Sequence, residues 1–184
     1  MRCPRCLLQH CLCSEIPTVA TQTRIVIVRH HSEVSRGSNT GRLAHFALPN
    51  SELLDHGGER GAAQLPALDG MWLLFPEGPV AEAPFDRTSG TAPRALVVLD
   101  ATWSQARRMF RKMSGLRGLP LLRLPEQPMP VERLRESPAP GKVSTIEAIA
   151  RALRLLEGDS AAEPLERLFT LAVARMAQSG RQMR

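Results

Sequence analysis

The sequence predicts an α/β fold in which a mainly parallel sheet is flanked by helices. Short segments rich in Val, Ile and Leu recur along the chain and are bounded by Gly, Pro and polar residues, as strands usually are. They do not alternate cleanly between apolar and polar residues, which is typical of parallel strands covered on both faces. Strand and helix patterns follow one another, which favours right-handed crossovers within one sheet.

Four strands and four helices account for these patterns. The strands are predicted at 23–30, 71–78, 94–100 and 119–124. The helices are predicted at 39–48, 103–113, 144–158 and 164–178. The stretch 125–140 contains five prolines and is predicted to be a loop. Because ligands bind outside the carboxyl ends of the strands in such sheets, we expect the segments that follow the strands to form one site.

Length and composition restrict the class of protein. A chain of 184 residues that is 43% hydrophobic can bury one main core with room for a small appendage. No apolar run is long enough to cross a bilayer, and the first residues do not resemble a secretory signal. We therefore expect a cytoplasmic protein with no membrane partner, and no obligate protein partner is evident.

The charge of the chain indicates a polyanionic partner. The formal net charge is +6, and the basic residues are 22 arginines against 2 lysines. Arginine offers planar recognition of phosphate by several donors, so nucleic acid is the first candidate partner. The alternative is that the arginine content only reflects the codon usage of a GC-rich genome.

The cysteines of the chain all fall within its first thirteen residues, with the spacing C-x2-C-x4-C-x-C. Clustered thiols in a cytoplasmic protein are typical of a structural zinc site, with Cys3, Cys6, Cys11 and Cys13 as ligands. His10 is an alternative ligand, and free thiols are the alternative to a metal. We predict a zinc knuckle at 1–16 and a main domain at 17–184. A closed four-thiolate site leaves the metal no open position for catalysis.

Small polar residues precede the first predicted helix. Ser38, Asn39 and Thr40 can cap this helix, and its first N–H groups can meet an anion. Arg42 lies in the first turn, where the helix dipole disfavours a cation, so it is predicted to face a ligand or a phosphate. Ordinary helix capping is the competing interpretation.

Asp100 ends a predicted strand, and it or Thr102 can cap the helix that follows. At the carboxyl edge of the sheet its carboxylate can accept a proton or orient a polar group. Trp103 either packs into the core or stacks on a base. The helix then carries four cations, which form either a solvated face or a track for phosphates: Arg107, Arg108, Arg111 and Lys112.

The last predicted strand is followed by a second charged stretch. Ser144 and Glu147 fit a capping box that opens the third predicted helix, with Thr145 between them. Arg133 and Arg135, with Glu136 beside them, fit no helix and are candidates for binding a carboxylate or a phosphate, or they belong to a solvated loop.

Four of these blocks together resemble the DTW-domain family. The cysteine block, "SNTGRL", "LDATWSQARRMFRK" and "RLRES…STIEA" occur in the order found in that family. The resemblance implies a tRNA-uridine aminocarboxypropyltransferase with a fold similar to the SPOUT class, in which a knotted backbone is possible. It further implies S-adenosylmethionine as donor, tRNA as acceptor, 5′-methylthioadenosine as by-product and 3-(3-amino-3-carboxypropyl)uridine as product.

The resemblance also implies roles for the candidate residues. Asp100 would take or polarise the uridine N3 proton, and Trp103, beside Thr102, would stack on adenine or on the target base. The basic helix face and the zinc knuckle would bind tRNA. Donor binding would fall to the residues around the first and third predicted helices: Ser38, Asn39, Thr40, Arg42, Arg133, Arg135, Glu136, Ser144 and Thr145.

Two other functions remain open from the sequence. One is a SPOUT-like RNA methyltransferase that uses the same donor, and the other is a non-catalytic RNA-binding module that contains zinc. The chain carries no P-loop, no G-x-G-x-x-G and no G-x-S-x-G pattern, which weakens the common NTPase, dehydrogenase and hydrolase interpretations.

Overall fold

The computed structural model describes residues 2–80, 85–86, 90–125 and 143–178. In that part of the chain, five strands form one all-parallel sheet in the order β2-β1-β4-β3-β5. The strands are β1 (Arg24–His30), β2 (Ser51–His56), β3 (Met71–Leu74), β4 (Ala95–Asp100) and β5 (Leu121–Leu122). The helices are α1 (Thr40–Ala47), α2 (Trp103–Lys112), α3 (Thr145–Glu157) and α4 (Asp159–Gln178). The predicted α/β class is confirmed.

Strand β2 is absent from the sequence prediction because it lies at the edge of the sheet. Its sequence, SELLDH, has only one adjacent apolar pair, and every residue in it is half-buried. An edge strand needs no continuous apolar run, since one of its sides and part of its faces stay open to solvent. The buried strands β1 and β4 carry the apolar runs that sequence patterns detect.

Most element boundaries differ from the prediction by one or more residues, and two of these differences have a clear cause in backbone chemistry. Strand β3 stops at Leu74, because Pro76 follows and supplies no N–H to the ladder. Helix α4 begins at Asp159, since Gly158 adopts a φ of 87° that turns the chain directly out of α3. Pro164 therefore lies inside α4 and not at its start.

Both faces of the sheet are covered, which explains why the central strands do not alternate. On the first face, Ile27 and Val98 belong to a core shared with α1, α3 and α4. On the second face, Val28 and Val97 pack with Met109 of α2. Among the described residues no helix is both long and apolar enough to span a membrane.

The sheet reverses its winding between β1 and β4. The chain leaves the carboxyl end of β1 towards β2, on one side, and leaves the carboxyl end of β4 towards β5, on the other. Arg29 of β1 pairs in register with Asp100 of β4 at this point. The crevice at such a switch point is where ligands bind in open parallel sheets. The order of the strands therefore places Asp100 at the predicted location of a site.

Candidate active site

Asp100 is the polar centre of the β1–β4 crevice. Its side chain is buried, with 4% of the residue exposed. Asn39 Nδ2 donates to its Oδ2 at 2.5 Å, and Thr145 Oγ1 donates to its Oδ1 at 2.7 Å. Each carboxylate oxygen carries two lone pairs, so with respect to the described residues both still have a free acceptor position. The carboxylate is thus fixed in orientation while it keeps the capacity to accept a proton.

The two helices that hold Asp100 both start at this crevice. Asn39 caps α1 by accepting from the backbone N–H of Arg42 at 2.9 Å. Ser144 and Glu147 form the predicted capping box at the start of α3. The Thr40 hydroxyl accepts from the Ile146 N–H at 3.4 Å and so joins the two helix starts. The predicted motifs at the starts of α1 and α3 therefore meet at Asp100.

Burial raises the pKa of Asp100 above its ordinary value of 3.8. The nearby Glu33 carboxylate raises this pKa further, while the hydrogen bonds from Thr145 and Asn39 and the charge of Arg29 lower it. A carboxylate whose pKa is raised is a stronger base than an exposed aspartate. The environment therefore suits the predicted proton transfer, which stays a prediction.

Gly41 of α1 lies directly against the carboxylate. A Cβ atom added at this position would be 2.5 Å from Oδ2 of Asp100 and 2.6 Å from its Cγ. The carboxylate cannot move away without breaking its bonds to Asn39 and Thr145. The glycine of "SNTGRL" is thus required by the close approach of α1 to Asp100.

We expect Gly41→Ala to destabilise the protein and to lower its activity. Overpacking costs about 1–3 kcal/mol and outweighs the helix-propensity gain of about 1 kcal/mol for alanine. Denaturant unfolding measures the loss, and a turnover assay measures the displacement of Asp100. Gly115→Ala is the matched control, because the nearest atoms to its new Cβ belong to the flexible Leu65 side chain, with Cδ1 at 3.3 Å. A Gly41→Ala variant as stable and active as wild type would contradict this packing.

Arg42 is buried and bound to its own loop. Its guanidinium donates to the carbonyls of Val34 and of Arg36, the latter at 3.2 Å. These bonds explain how a cation can occupy the first turn of α1, since carbonyl oxygens replace solvent around it. They also hold the loop that leads into Asn39. Direct contact of Arg42 with a ligand stays a prediction.

Thr102, and not Asp100, caps helix α2. Its hydroxyl accepts from the Gln105 N–H at 3.4 Å, while Gln105 Oε1 accepts from the Thr102 N–H at 2.9 Å. Trp103, the first residue of α2, is half-buried. The capping box therefore leaves the Asp100 carboxylate to the crevice.

Comparison with known proteins shows the family. A family model described as the DTW domain matches residues 1–177. The chain belongs to the DTW-domain family. No solved structure matches it.

Curated relatives of this DTW domain carry a consistent name. The chain is 28% identical over 195 residues to tRNA-uridine aminocarboxypropyltransferase 2 of Macaca fascicularis, covering 99% of the chain and 65% of the relative. It is 29% identical over 202 residues to tRNA-uridine aminocarboxypropyltransferase A of Arabidopsis thaliana, covering 91% and 75%. It is 29% identical over 160 residues to tRNA-uridine aminocarboxypropyltransferase 2 of Drosophila melanogaster, covering 80% of the chain and 62% of the relative. The chain thus spans less than two thirds of the length of the Macaca and Drosophila relatives.

The basic helix of this DTW domain presents its cations to solvent. Ala106 and Met109 of α2 are buried against the second face of the sheet. The four predicted RNA-binding residues are exposed on the rest of the helix: Arg107, Arg108, Arg111 and Lys112. Because α2 starts at the carboxyl edge, Arg107 and Arg108 lie nearer to the crevice along the helix than the last two cations. Such a face can follow a phosphate backbone.

The cysteines of the DTW domain form one compact group. The sulfur atoms of Cys3, Cys6, Cys11 and Cys13 all lie within 4.8 Å of one another, and in the described residues His10 is not part of the group. A zinc ion with Zn–S bonds of about 2.3 Å needs sulfur atoms about 3.8 Å apart. The Cys3–Cys13 separation is 3.8 Å and the Cys3–Cys11 separation is 3.4 Å. The four thiols therefore fit a tetrahedral metal ion.

Three predicted donor-binding residues, Arg133, Arg135 and Glu136, lie outside the described residues. Within the described part, the sequence prediction missed two groups at the crevice. Glu33 is a buried carboxylate that raises the pKa of Asp100. His30 ends β1 and bonds to Ser32, which in turn accepts from Gln105 of α2. Single polar residues after a strand give no pattern, so only the position of β1 next to β4 reveals them.

Proposed function

We propose that this DTW domain transfers the 3-amino-3-carboxypropyl group of S-adenosylmethionine to N3 of a uridine in tRNA and releases 5′-methylthioadenosine. The convergence of three motif segments on one buried carboxylate at the sheet's switch point carries this proposal. The names of the relatives support it, since they are tRNA-uridine aminocarboxypropyltransferases.

The reaction needs a base, an aligned donor and an exposed uracil edge. The N3 proton leaves, the bond from N3 to the donor's Cγ forms, and the bond from Cγ to sulfur breaks. The electron pair of that bond goes to the sulfonium, which becomes the neutral thioether of methylthioadenosine. We assign the proton to Asp100, whose raised pKa makes it a stronger base than an exposed aspartate. In-line placement of N3, Cγ and sulfur supplies much of the remaining rate.

The donor is assigned to the first-face side of the crevice. The residues around Asp100 there come from the starts of α1 and α3, where the helix dipoles favour a carboxylate such as that of the donor. In this assignment the donor-binding residues among the described residues are Ser38, Asn39, Thr40, Arg42, Ser144 and Thr145. Arg133, Arg135 and Glu136 complete the set as predicted from the sequence.

The tRNA is assigned to the second-face side, where α2 presents its exposed cations. These side chains would bind phosphates, while Trp103 at the start of α2 would stack on a base. Uridine N3 is part of the pairing edge, so the target base must be unpaired or turned outward to reach Asp100. The proposal thus places donor and acceptor on opposite sides of one carboxylate.

The four cysteines are proposed to hold a structural zinc ion. Cys6, with Leu8 and Leu12, belongs to the first-face core, so the metal would fix the N-terminal segment against the main domain. We expect elemental analysis to find a single zinc ion per chain. Removing it with a chelator, or changing Cys11 to Ser, should lower the melting temperature. A metal-free chain of unchanged melting temperature would contradict the zinc site.

Donor binding tests the proposed function without RNA. S-adenosylmethionine at 100 times its dissociation constant should stabilise the protein by about 2.7 kcal/mol, seen as a raised melting temperature. 5′-Methylthioadenosine should also raise it, because it retains the adenosine and thioether of the donor. No shift with either compound would favour the RNA-binding module that lacks catalysis.

A further inference from the structure

A series of hydrogen bonds connects helix α2 to His30 at the end of β1. Gln105 Oε1 accepts from the Thr102 N–H at 2.9 Å, so its Nε2 is the amide donor that reaches Ser32 Oγ at 3.0 Å. The Ser32 hydroxyl lies 2.9 Å from His30 Nδ1, and the Ser32 backbone N–H donates to the same nitrogen at 3.3 Å. Because that N–H can only donate, Nδ1 is the acceptor nitrogen of the ring.

These hydrogen bonds fix the tautomer of His30. With Nδ1 as the acceptor, the imidazole proton resides on Nε2. Burial lowers the pKa of His30, and electrostatic repulsion from His31, His56 and Arg108 lowers it further, which favours the neutral ring. Among the described residues, Nε2 has no hydrogen-bond partner. His30 is therefore a neutral ring with one oriented and available N–H donor.

His30 borders the crevice from the side opposite the Asp100 carboxylate. It follows Arg29, whose register partner is Asp100, and successive side chains of a strand point to opposite faces. Asp100 lies beneath α1 and α3 on the first face. His30 bonds to Ser32, which accepts from Gln105 of α2, and α2 covers the second face. An acceptor that enters from the α2 side thus meets His30 before it meets Asp100.

We propose that His30 is a further catalytic residue, whose Nε2–H donates to a carbonyl oxygen of the acceptor uracil. The inference rests on the proposed function. When N3 loses its proton to Asp100, the negative charge spreads over the adjacent ring carbonyl oxygens. A fixed N–H donor to one of these oxygens stabilises the charge as it develops, and His30 keeps its own proton throughout. Ser32 and Gln105 act as positioning residues, because they hold the proton on Nε2.

The test compares His30→Phe with His30→Gln. Phenylalanine keeps a ring beside His31 but has no donor, whereas glutamine restores an N–H donor. With saturating donor and tRNA, we expect His30→Phe to lower kcat by roughly 100-fold or more, with little change in tRNA Kd. His30→Gln should recover part of kcat. The matched control is His45→Phe, since His45 makes the same kind of bond to a serine, Ser51 Oγ at 2.8 Å, away from the carboxyl edge.

Each outcome has one meaning. Wild-type kcat in His30→Phe would overturn the inference, and so would a weaker tRNA Kd with unchanged kcat, which would indicate a phosphate contact instead. If His30→Phe fails to fold, a His30→Gln variant that is folded but has no more activity than His30→Ala would also overturn it. Absence of transfer by the wild-type protein would remove the proposed function itself, which is a different result.

Discussion

An Asp100→Asn variant is expected to lose at least about 100-fold in turnover while it binds tRNA as tightly as wild type. General-base catalysis contributes about 10²–10⁴ to rates, and the amide cannot accept the uracil N3 proton. Asparagine keeps the fold, because its Oδ1 can accept from Asn39 and its Nδ2 can donate to the Thr145 hydroxyl. The melting temperature should therefore stay close to that of wild type, and kcat alone should fall.

The pH profile gives this variant a second readout. Proton transfer needs the ionised form of Asp100, so the rate of the wild-type protein should rise with pH and level off above the raised pKa. Because burial raises that pKa, the midpoint should lie above 3.8. The residual rate of the Asp100→Asn variant should not show this rise with pH. Undiminished turnover in Asp100→Asn would remove the carboxylate from the mechanism and leave it a structural role between α1 and α3.

Removal of two cations from α2 should weaken tRNA binding in a salt-dependent way. The double variant Arg107→Gln and Arg108→Gln removes two proposed phosphate contacts, so the negative slope of log K against log salt should decrease in magnitude by about 2. Because two cations that can neutralise phosphates are lost, the tRNA Kd at low salt should rise roughly tenfold or more. Because both side chains are exposed, stability should hardly change.

The control for this variant removes the same charge elsewhere. Arg94 precedes β4 at the amino edge of the sheet, and Arg117 follows the short turn Ser114–Leu116 beyond α2. Both are exposed, so Arg94→Gln with Arg117→Gln lowers the net charge equally. This control should leave the salt slope close to that of wild type. Equal slopes in the two double variants would place the RNA surface away from α2.

The sequence predicts those parts of the molecule whose residues act through local patterns. The apolar runs of β1 and β4 are long because these strands are covered on both faces, and the capping residues of α3 follow a fixed spacing. The position of Asp100 at the carboxyl end of a strand was likewise predictable. Edge strand β2 was not, because an edge strand needs no continuous apolar run.

The parts of the site that the sequence does not predict depend on which strands are neighbours. Arg29 and Asp100 are far apart in the chain and become partners only because β1 pairs with β4. The same pairing brings Glu33 and His30 to the crevice. Gly41 looks like an ordinary glycine in the sequence, and only the close approach of α1 to Asp100 shows why it has no side chain.

A transfer assay on unmodified tRNA tests the central claim most directly. The donor S-adenosylmethionine is labelled in its carboxyl carbon in one reaction and in its methyl group in the other. We expect the carboxyl label to enter the RNA with release of 5′-methylthioadenosine, and the methyl label to stay with the released nucleoside. Methyl label alone in the RNA would make the protein a methyltransferase, and no label from either donor would contradict catalysis at the Asp100 crevice.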